Sequence, residues 1–76
     1  MLLDNIDRSE LVQMATLLGM MRTEVPKTLA LSVAQDLAEQ ISPTFLYGDD
    51  KVRSSAILPY LSDVLEQIRT RDAASR

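Results

Sequence analysis

The chain has 76 residues, a formal net charge of −3 at pH 7, and neither cysteine nor histidine. A chain of this length buries only a small core, so domains of this size usually need a disulfide, a metal or a second chain for stability. Without cysteine and histidine, disulfides are excluded and the commonest transition-metal ligands are missing, which leaves oligomerisation or a partner protein. We expect one helical domain over 1–76, with frayed ends at 1–6 and 72–76.

The charge distribution argues against nucleic acid and membranes as partners. The eight lysine and arginine residues are scattered, whereas nucleic-acid binding needs a basic stripe that neutralises phosphates. The longest uncharged run, Leu11–Met21, is shorter than a membrane span, and the first residues lack the basic region of a signal peptide. We therefore expect no nucleic-acid or membrane partner, and we take the cytoplasm as the default location.

Residues for catalysis are also scarce. The commonest general base and the thiol nucleophile are absent, and the two isolated glycines do not form a phosphate-binding loop. The adjacent Asp49 and Asp50 offer too few oxygens for a cation site, and we interpret them as caps of the last helix. We expect no enzymatic activity, no cofactor, no metal and no small-molecule substrate.

The first predicted helix covers 8–22. Asp7 followed by Glu10 matches a capping box, in which two side chains satisfy free amide groups at a helix start. The Val25-Pro26 pair ends this helix, because the residue before a proline avoids the α conformation.

The second predicted helix covers 26–41 and has apolar residues on one side only. Its start at Pro26 suits a residue that lacks an amide donor. Ser42-Pro43 then begins a short helical turn over 43–47. Its side chains Phe45 to Tyr47 are predicted to cover the end of the core, and the alternative is that they contact a ligand or a partner.

The last predicted helix covers 51–71 and is kinked near Pro59, because a proline inside a helix removes a hydrogen bond and clashes with the preceding turn. The pattern as a whole predicts an all-α fold. It is a small bundle of three main helices plus the short helical turn at 43–47.

The first helix has more apolar surface than one intramolecular contact needs, since a stripe of about 100° suffices for that. Either the helix is sandwiched between its neighbours, or part of it meets another chain. We expect the other helices to cover the side that carries Leu11, Ala15 and Leu18, with the flank of Met14 and Met21. The candidate partner or dimer interface consists of Val12, Leu17 and Met20, together with Met21 from the edge of that flank.

These features favour a small acidic protein-protein interaction module, acting as an adaptor, a chaperone-like protein or an inhibitory subunit. We expect it to work as a homodimer or in a complex with a different protein. An alternative is a helix-turn-helix transcriptional regulator that uses the helix pair across Pro26 or Pro43. Its helices are acidic, however, where a recognition helix carries Arg, Lys, Asn or Gln.

A second alternative is a degenerate acyl-carrier-like domain. Less than half of the chain is loosely similar to the second half of a polyketide carrier domain, in the order Ser32, Leu37, Phe45-Leu46, Val52, Leu58, Tyr60-Leu61. The Asp-Ser-Leu motif of the carrier family is absent, because the serine stands in Leu31-Ser32-Val33 inside a predicted helix. The resemblance therefore does not imply phosphopantetheine attachment.

Overall fold

A computed structural model describes residues 6–46 and 48–74, apart from the side chain of Asp49. Three helices form a small bundle: α1 (Arg8–Thr23), α2 (Lys27–Glu39) and α3 (Ser54–Ala74). The predicted all-α class and the three main helices are confirmed. The predicted helical turn is a short 3-10 helix at Pro43–Phe45, and a second one follows at Gly48–Asp50.

Two short strands, which were not predicted, join the starts of α1 and α3. In this antiparallel pair, β1 (Ile6–Asp7) meets β2 (Lys51–Val52), and Ile6 lies opposite Val52. Further along, Gly19 of α1 approaches Ile68 of α3. The two helices therefore run side by side in the same direction, whereas α2 returns in the opposite direction after a tight turn.

The start of α1 differs in detail from the predicted capping box. Asp7 is the residue before the helix, as predicted, but its side chain makes no capping hydrogen bond. Its carboxylate instead lies 4.0 Å from Nζ of Lys51 across the β pair. The capping-box prediction is wrong because Asp7 belongs to β1, where it faces the neighbouring strand.

Helix α3 begins at Ser54 rather than at 51, because Lys51 and Val52 belong to β2. It continues through Pro59 as one helix, as predicted, and the predicted kink there stays a prediction. Neither aspartate adjoins the helix start. Asp50 instead forms an ion pair with Arg8, at 3.5 Å between Oδ1 and Nη2.

Other terminal and loop predictions have mixed outcomes. The predicted frayed ends are partly wrong, because Ile6 lies in β1 and 72–74 lie in α3. Residues 1–5, Tyr47 and 75–76 lie outside the described residues. Of the remaining side chains predicted to cover the core, Leu46 packs against it, whereas Phe45 is 42% exposed.

The core is built around small side chains on α2. Its buried residues are Ala30, Val33, Ala34 and Ala38, which confirms the predicted one-sided helix. Alanines let a neighbouring helix pack at short range, and all but one of the largest buried residues come from the other elements. The largest fully buried side chains of the bundle are Leu11, Val33, Val52, Val64 and Ile68.

Gly19 lies at a close approach of α1 to both other helices. A Cβ atom at this position would overlap Cδ1 of Ile68 and would lie 3.5 Å from Cβ of Ala30. Because Ile68 is fully buried, its side chain has little room to move away. Glycine is therefore the residue that this packing distance requires.

Tyr60 links α3 to α2 by a buried hydrogen bond. Its hydroxyl donates to the carbonyl oxygen of Ala34 at 2.6 Å, and only 5% of the residue is exposed. Burial disfavours the charged phenolate and raises the pKa of Tyr60 from 10.0 to about 12. The hydroxyl therefore stays protonated well above neutral pH.

We expect Gly19→Ala to destabilise the protein, because overpacking a core costs about 1 to 3 kcal/mol and exceeds the helix-propensity gain of about 0.5 to 1 kcal/mol. Ile68→Val removes the atom that the new methyl group would overlap. In urea denaturation, the double variant should be more stable than Gly19→Ala alone. Strictly additive losses would contradict the proposed contact.

We expect Tyr60→Phe to lower stability by about 1 kcal/mol at neutral pH, through loss of one hydrogen bond. The folded pKa of about 12 exceeds the unfolded value of 10.0, so Tyr60 stabilises the fold fully below pH 10. That contribution is lost as the pH rises through 12. Thermal melts at increasing alkaline pH should show a steeper loss in the wild type than in Tyr60→Phe. Tyr47 is present in both proteins, so its ionisation cancels in the comparison.

Candidate interaction surface

Helix α1 buries its small residues and exposes several of its largest ones. The side toward the core carries Leu11, Val12, Ala15, Thr16 and Gly19. Met14 is 42% exposed, Leu17 is 61% exposed and Met21 is 79% exposed. These three positions follow a spacing of three and four residues, so they form one stripe along the helix.

The structure divides the four predicted interface residues into two pairs. Leu17 and Met21 are exposed, as an interface requires. Val12 is 9% exposed and belongs to the core, and Met20 is partly buried against it. Val12 is therefore removed from the candidate surface. Conversely, Met14 was expected to be covered by the neighbouring helices, and this expectation is wrong.

The reason for this correction is the size of the side chains on each side of α1. We placed the most apolar arc toward the core, but helix packing also selects the arc that permits the closest approach. That arc contains Ala15 and Gly19, which meet α2 and α3 at short range. Thr16 fits there because its hydroxyl donates to the carbonyl oxygen of Val12 at 2.8 Å. The bulky residues are left on the outside.

The edges of α1 show which neighbour lies on which side. Val12 and Gln13 line a cleft of about 820 Å³ together with Leu31 and Gln35 of α2. This edge therefore faces α2. At 100° per residue, Leu18 lies on the opposite edge of the buried arc, beside α3.

Helix α3 likewise has one edge that faces α2 and another edge that lies beside α1. Pro59 and Asp63 line a crevice of about 250 Å³ shared with Leu37 and Ile41, which identifies the edge of α3 that faces α2. Leu58, which is 76% exposed, lies on the other edge, beside α1.

Apolar residues from both helices therefore flank the contact between α1 and α3, on the side of the bundle away from α2. We call this surface the outer face. Its members are Met14, Leu17, Leu18 and Met21 of α1, and Leu58, Leu61 and Leu65 of α3.

Charged residues stand at the two ends of the outer face. Glu10 is at the end near the start of α1, and Arg69 is at the opposite end; both are exposed. They take part in none of the ion pairs between described residues, which join Arg8 to Asp50, Lys51 to Asp7 and Arg71 to Asp36. Asp72, also at the second end, already has a partner within the chain.

A cleft between α1 and α2 is a further feature of the surface, on a different side from the outer face. It is lined by Arg8 and the carboxylates of Asp7, Asp36, Glu39 and Asp50. Asp7, Asp36 and Asp50 are each within 4.0 Å of a basic side chain, which compensates these three charges. Among the described residues, no group of three acidic, histidine or cysteine side chains is placed to hold a metal ion.

No α-helix within 6–46 or 48–74 has the length and apolarity needed to cross a membrane.

Comparison with known proteins gave no match to a family model, to a curated protein or to a solved structure.

We expect Val12→Asp to destabilise the fold strongly and Leu17→Asp to leave its stability nearly unchanged. A buried unpaired carboxylate at Val12 should cost about 3 kcal/mol or more, and it should lower the melting temperature strongly. An aspartate at the exposed position 17 should change stability by about 0.5 kcal/mol or little more. Circular dichroism melts of both variants check this. Equal destabilisation would show that Leu17 is a core residue.

Proposed function

We propose that this chain is a protein-protein interaction module that binds its partner through the outer face. The observation that carries this proposal is the exposure of four large apolar side chains on one side of a small bundle. These are Met14, Leu17, Met21 and Leu58, with exposed fractions between 42% and 79%. Single apolar residues on a surface are common, but a contiguous apolar patch is typical of a binding site.

The size of the outer face supports the same proposal. A helix is about 10 Å across and rises 1.5 Å per residue, so α1 and α3 side by side present roughly 500 Å² over the length of α1. A standard protein-protein interface buries about 800 Å² on each partner, which is the same order. An adaptor, a chaperone-like protein or an inhibitory subunit would need no more than this surface.

The composition of the face suits an adaptable partner site. Methionine side chains are flexible and polarisable, and they fit surfaces that must adjust to a bound protein. Met14 and Met21 stand at the exposed edge, while Leu61 and Leu65 are half-buried beneath it. We also propose a cytoplasmic location, because the chain has no cysteine to form disulfides in an oxidising compartment.

Affinity capture of the tagged protein from its native cells, followed by mass spectrometry, tests the proposal. We expect Leu17→Glu and Leu58→Glu to abolish association with the captured protein, because a charge replaces an exposed apolar side chain of the face on each helix. Ser32→Glu is the matched control, since Ser32 is exposed on α2 and away from the outer face. Unchanged association in both leucine variants, or equal loss in the control, would refute the role of this surface. A partner that proves to be a second copy of the chain is one form of the same result.

A further inference from the structure

We infer that the crevice between α2 and α3 binds an arginine side chain from a basic segment of a partner protein. This site is separate from the outer face, which lies on the side of the bundle away from α2. The crevice has a volume of about 250 Å³ and is open to solvent. Pockets for drug-sized ligands occupy about 300 to 1,000 Å³, so a crevice of this size suits a single side chain.

The only charge in the described lining of the crevice is negative. It belongs to Asp63, which is exposed and takes part in none of the ion pairs between described residues. The neighbouring Arg53 donates its amide hydrogen to the carbonyl oxygen of Phe45 at 2.8 Å. Arg53 does not line the crevice, however, and it already has a further interaction within the chain. The carboxylate of Asp63 is therefore available to a cation from another molecule.

The C-terminal end of α2 adds partial negative charge at the same place. Leu37 lies in the last turn of α2, Gln40 and Ile41 follow the end of the helix, and all three line the crevice. A helix C-terminus carries roughly half a negative charge, so basic side chains there are stabilising. The last turn of α2 has no basic residue. A cation in the crevice would therefore supply the positive charge that this helix end lacks.

Pro59 removes a hydrogen-bond donor on the α3 side of the crevice. Within a helix, the carbonyl oxygen of Ser55 would accept from the amide of residue 59, but proline has no amide hydrogen. Ser55 and Pro59 both line the crevice, and Asp63 stands one helical turn beyond Pro59. This side therefore carries a carbonyl group without its usual donor and a carboxylate, and both accept hydrogen bonds.

Phe45 gives the crevice an aromatic wall. Its side chain is 42% exposed, and it lines the crevice together with Leu37 and Ile41. An aromatic face attracts cations, more often arginine than lysine. The guanidinium is planar, has several donors and is more weakly hydrated than an ammonium, while its apolar stem suits the aliphatic wall. A calcium ion would need several oxygen ligands, whereas the described lining has one carboxylate. The combination therefore favours arginine.

Peptide titrations followed by NMR test this inference. The probe is the blocked peptide acetyl-Gly-Gly-Arg-Gly-Gly-amide, and its control contains citrulline, which has nearly the shape of arginine without the charge. We expect the arginine peptide to bind with a dissociation constant of about 1 mM and to shift the amide signals of Gln40, Phe45 and Asp63. The citrulline peptide should bind about tenfold more weakly or worse, because it loses the charge-assisted hydrogen bonds. A lysine peptide should also bind more weakly than the arginine peptide.

Two variants and a matched control locate the site. Asp63→Asn should weaken binding of the arginine peptide about tenfold. Glu24→Gln removes the same charge from an exposed residue in the turn before α2, at the other end of that helix, and it should leave binding unchanged. Phe45→Leu keeps an apolar side chain but removes the ring, and it should weaken binding about two- to fivefold.

Equal binding of the citrulline peptide to the wild type would overturn the inference, whether or not the variants fold. Equal weakening in Asp63→Asn and Glu24→Gln would also overturn it, because attraction to the net charge would then explain the binding. Absence of saturable binding, or signal shifts confined to residues away from the crevice, would have the same consequence. Equal or tighter binding of the lysine peptide would overturn the assignment to arginine. Leu17→Glu, which tests the outer face, should leave binding of the arginine peptide unchanged, so the proposed function and this inference can fail separately.

Discussion

The close approach of α1 to the other two helices at Gly19 is the constraint on which the rest of this bundle depends. A methyl group at this position would occupy the space of Ile68 Cδ1. The neighbouring contacts on α2 are made by alanines, so the three helices pack at short range around few large side chains. In a chain of 76 residues, close packing of backbones compensates in part for the small amount of apolar material that the core can hold.

The same constraint explains why α1 exposes leucine and methionine. A helix surface that is apolar almost all round has to choose which arc it buries. The arc with Leu11, Ala15 and Gly19 is the one that is buried, so Leu17 and Met21 lie outside the core. The packing of the core and the exposure of the outer face therefore both follow from which arc of α1 is buried. A larger residue at 19 would alter both.

The fold class followed from the sequence because the periodic apolar spacing and the proline positions act locally. Val25-Pro26 separates α1 from α2, and Ser42 caps the turn at Pro43 by accepting a hydrogen bond from the Thr44 amide. Interactions between distant segments were missed. Neither the pairing of Ile6 with Val52 nor the hydrogen bond from Tyr60 to Ala34 has a local signal.

The candidate surface was predicted only in part, because its position also depends on contacts between segments that are distant in the sequence. An excess of apolar residues on α1 is visible in its composition, and Leu17 is exposed as expected, whereas Met14 and Met21 were expected to be covered and are exposed as well. The assignment of Val12 required the direction from which α2 and α3 pack, which a single helical pattern does not contain. The exposure of Leu58 was not predicted, because an apolar residue next to a proline can be either buried or exposed. The positions of small residues would have been a better guide to the buried arc.

The pairing of β1 with β2 also bears on the order of folding. It closes a loop that contains all of α1 and α2, and loops of that length carry a higher entropic cost than the tight turn between these two helices. We therefore expect the α1–α2 hairpin to form before α3 docks and the strands pair. A ladder of two residues contributes few hydrogen bonds, so the amides around Ile6 and Val52 should exchange with solvent before those of the helical core. The pair of β1 with β2 is thus expected to add its contacts after the α1–α2 hairpin has formed.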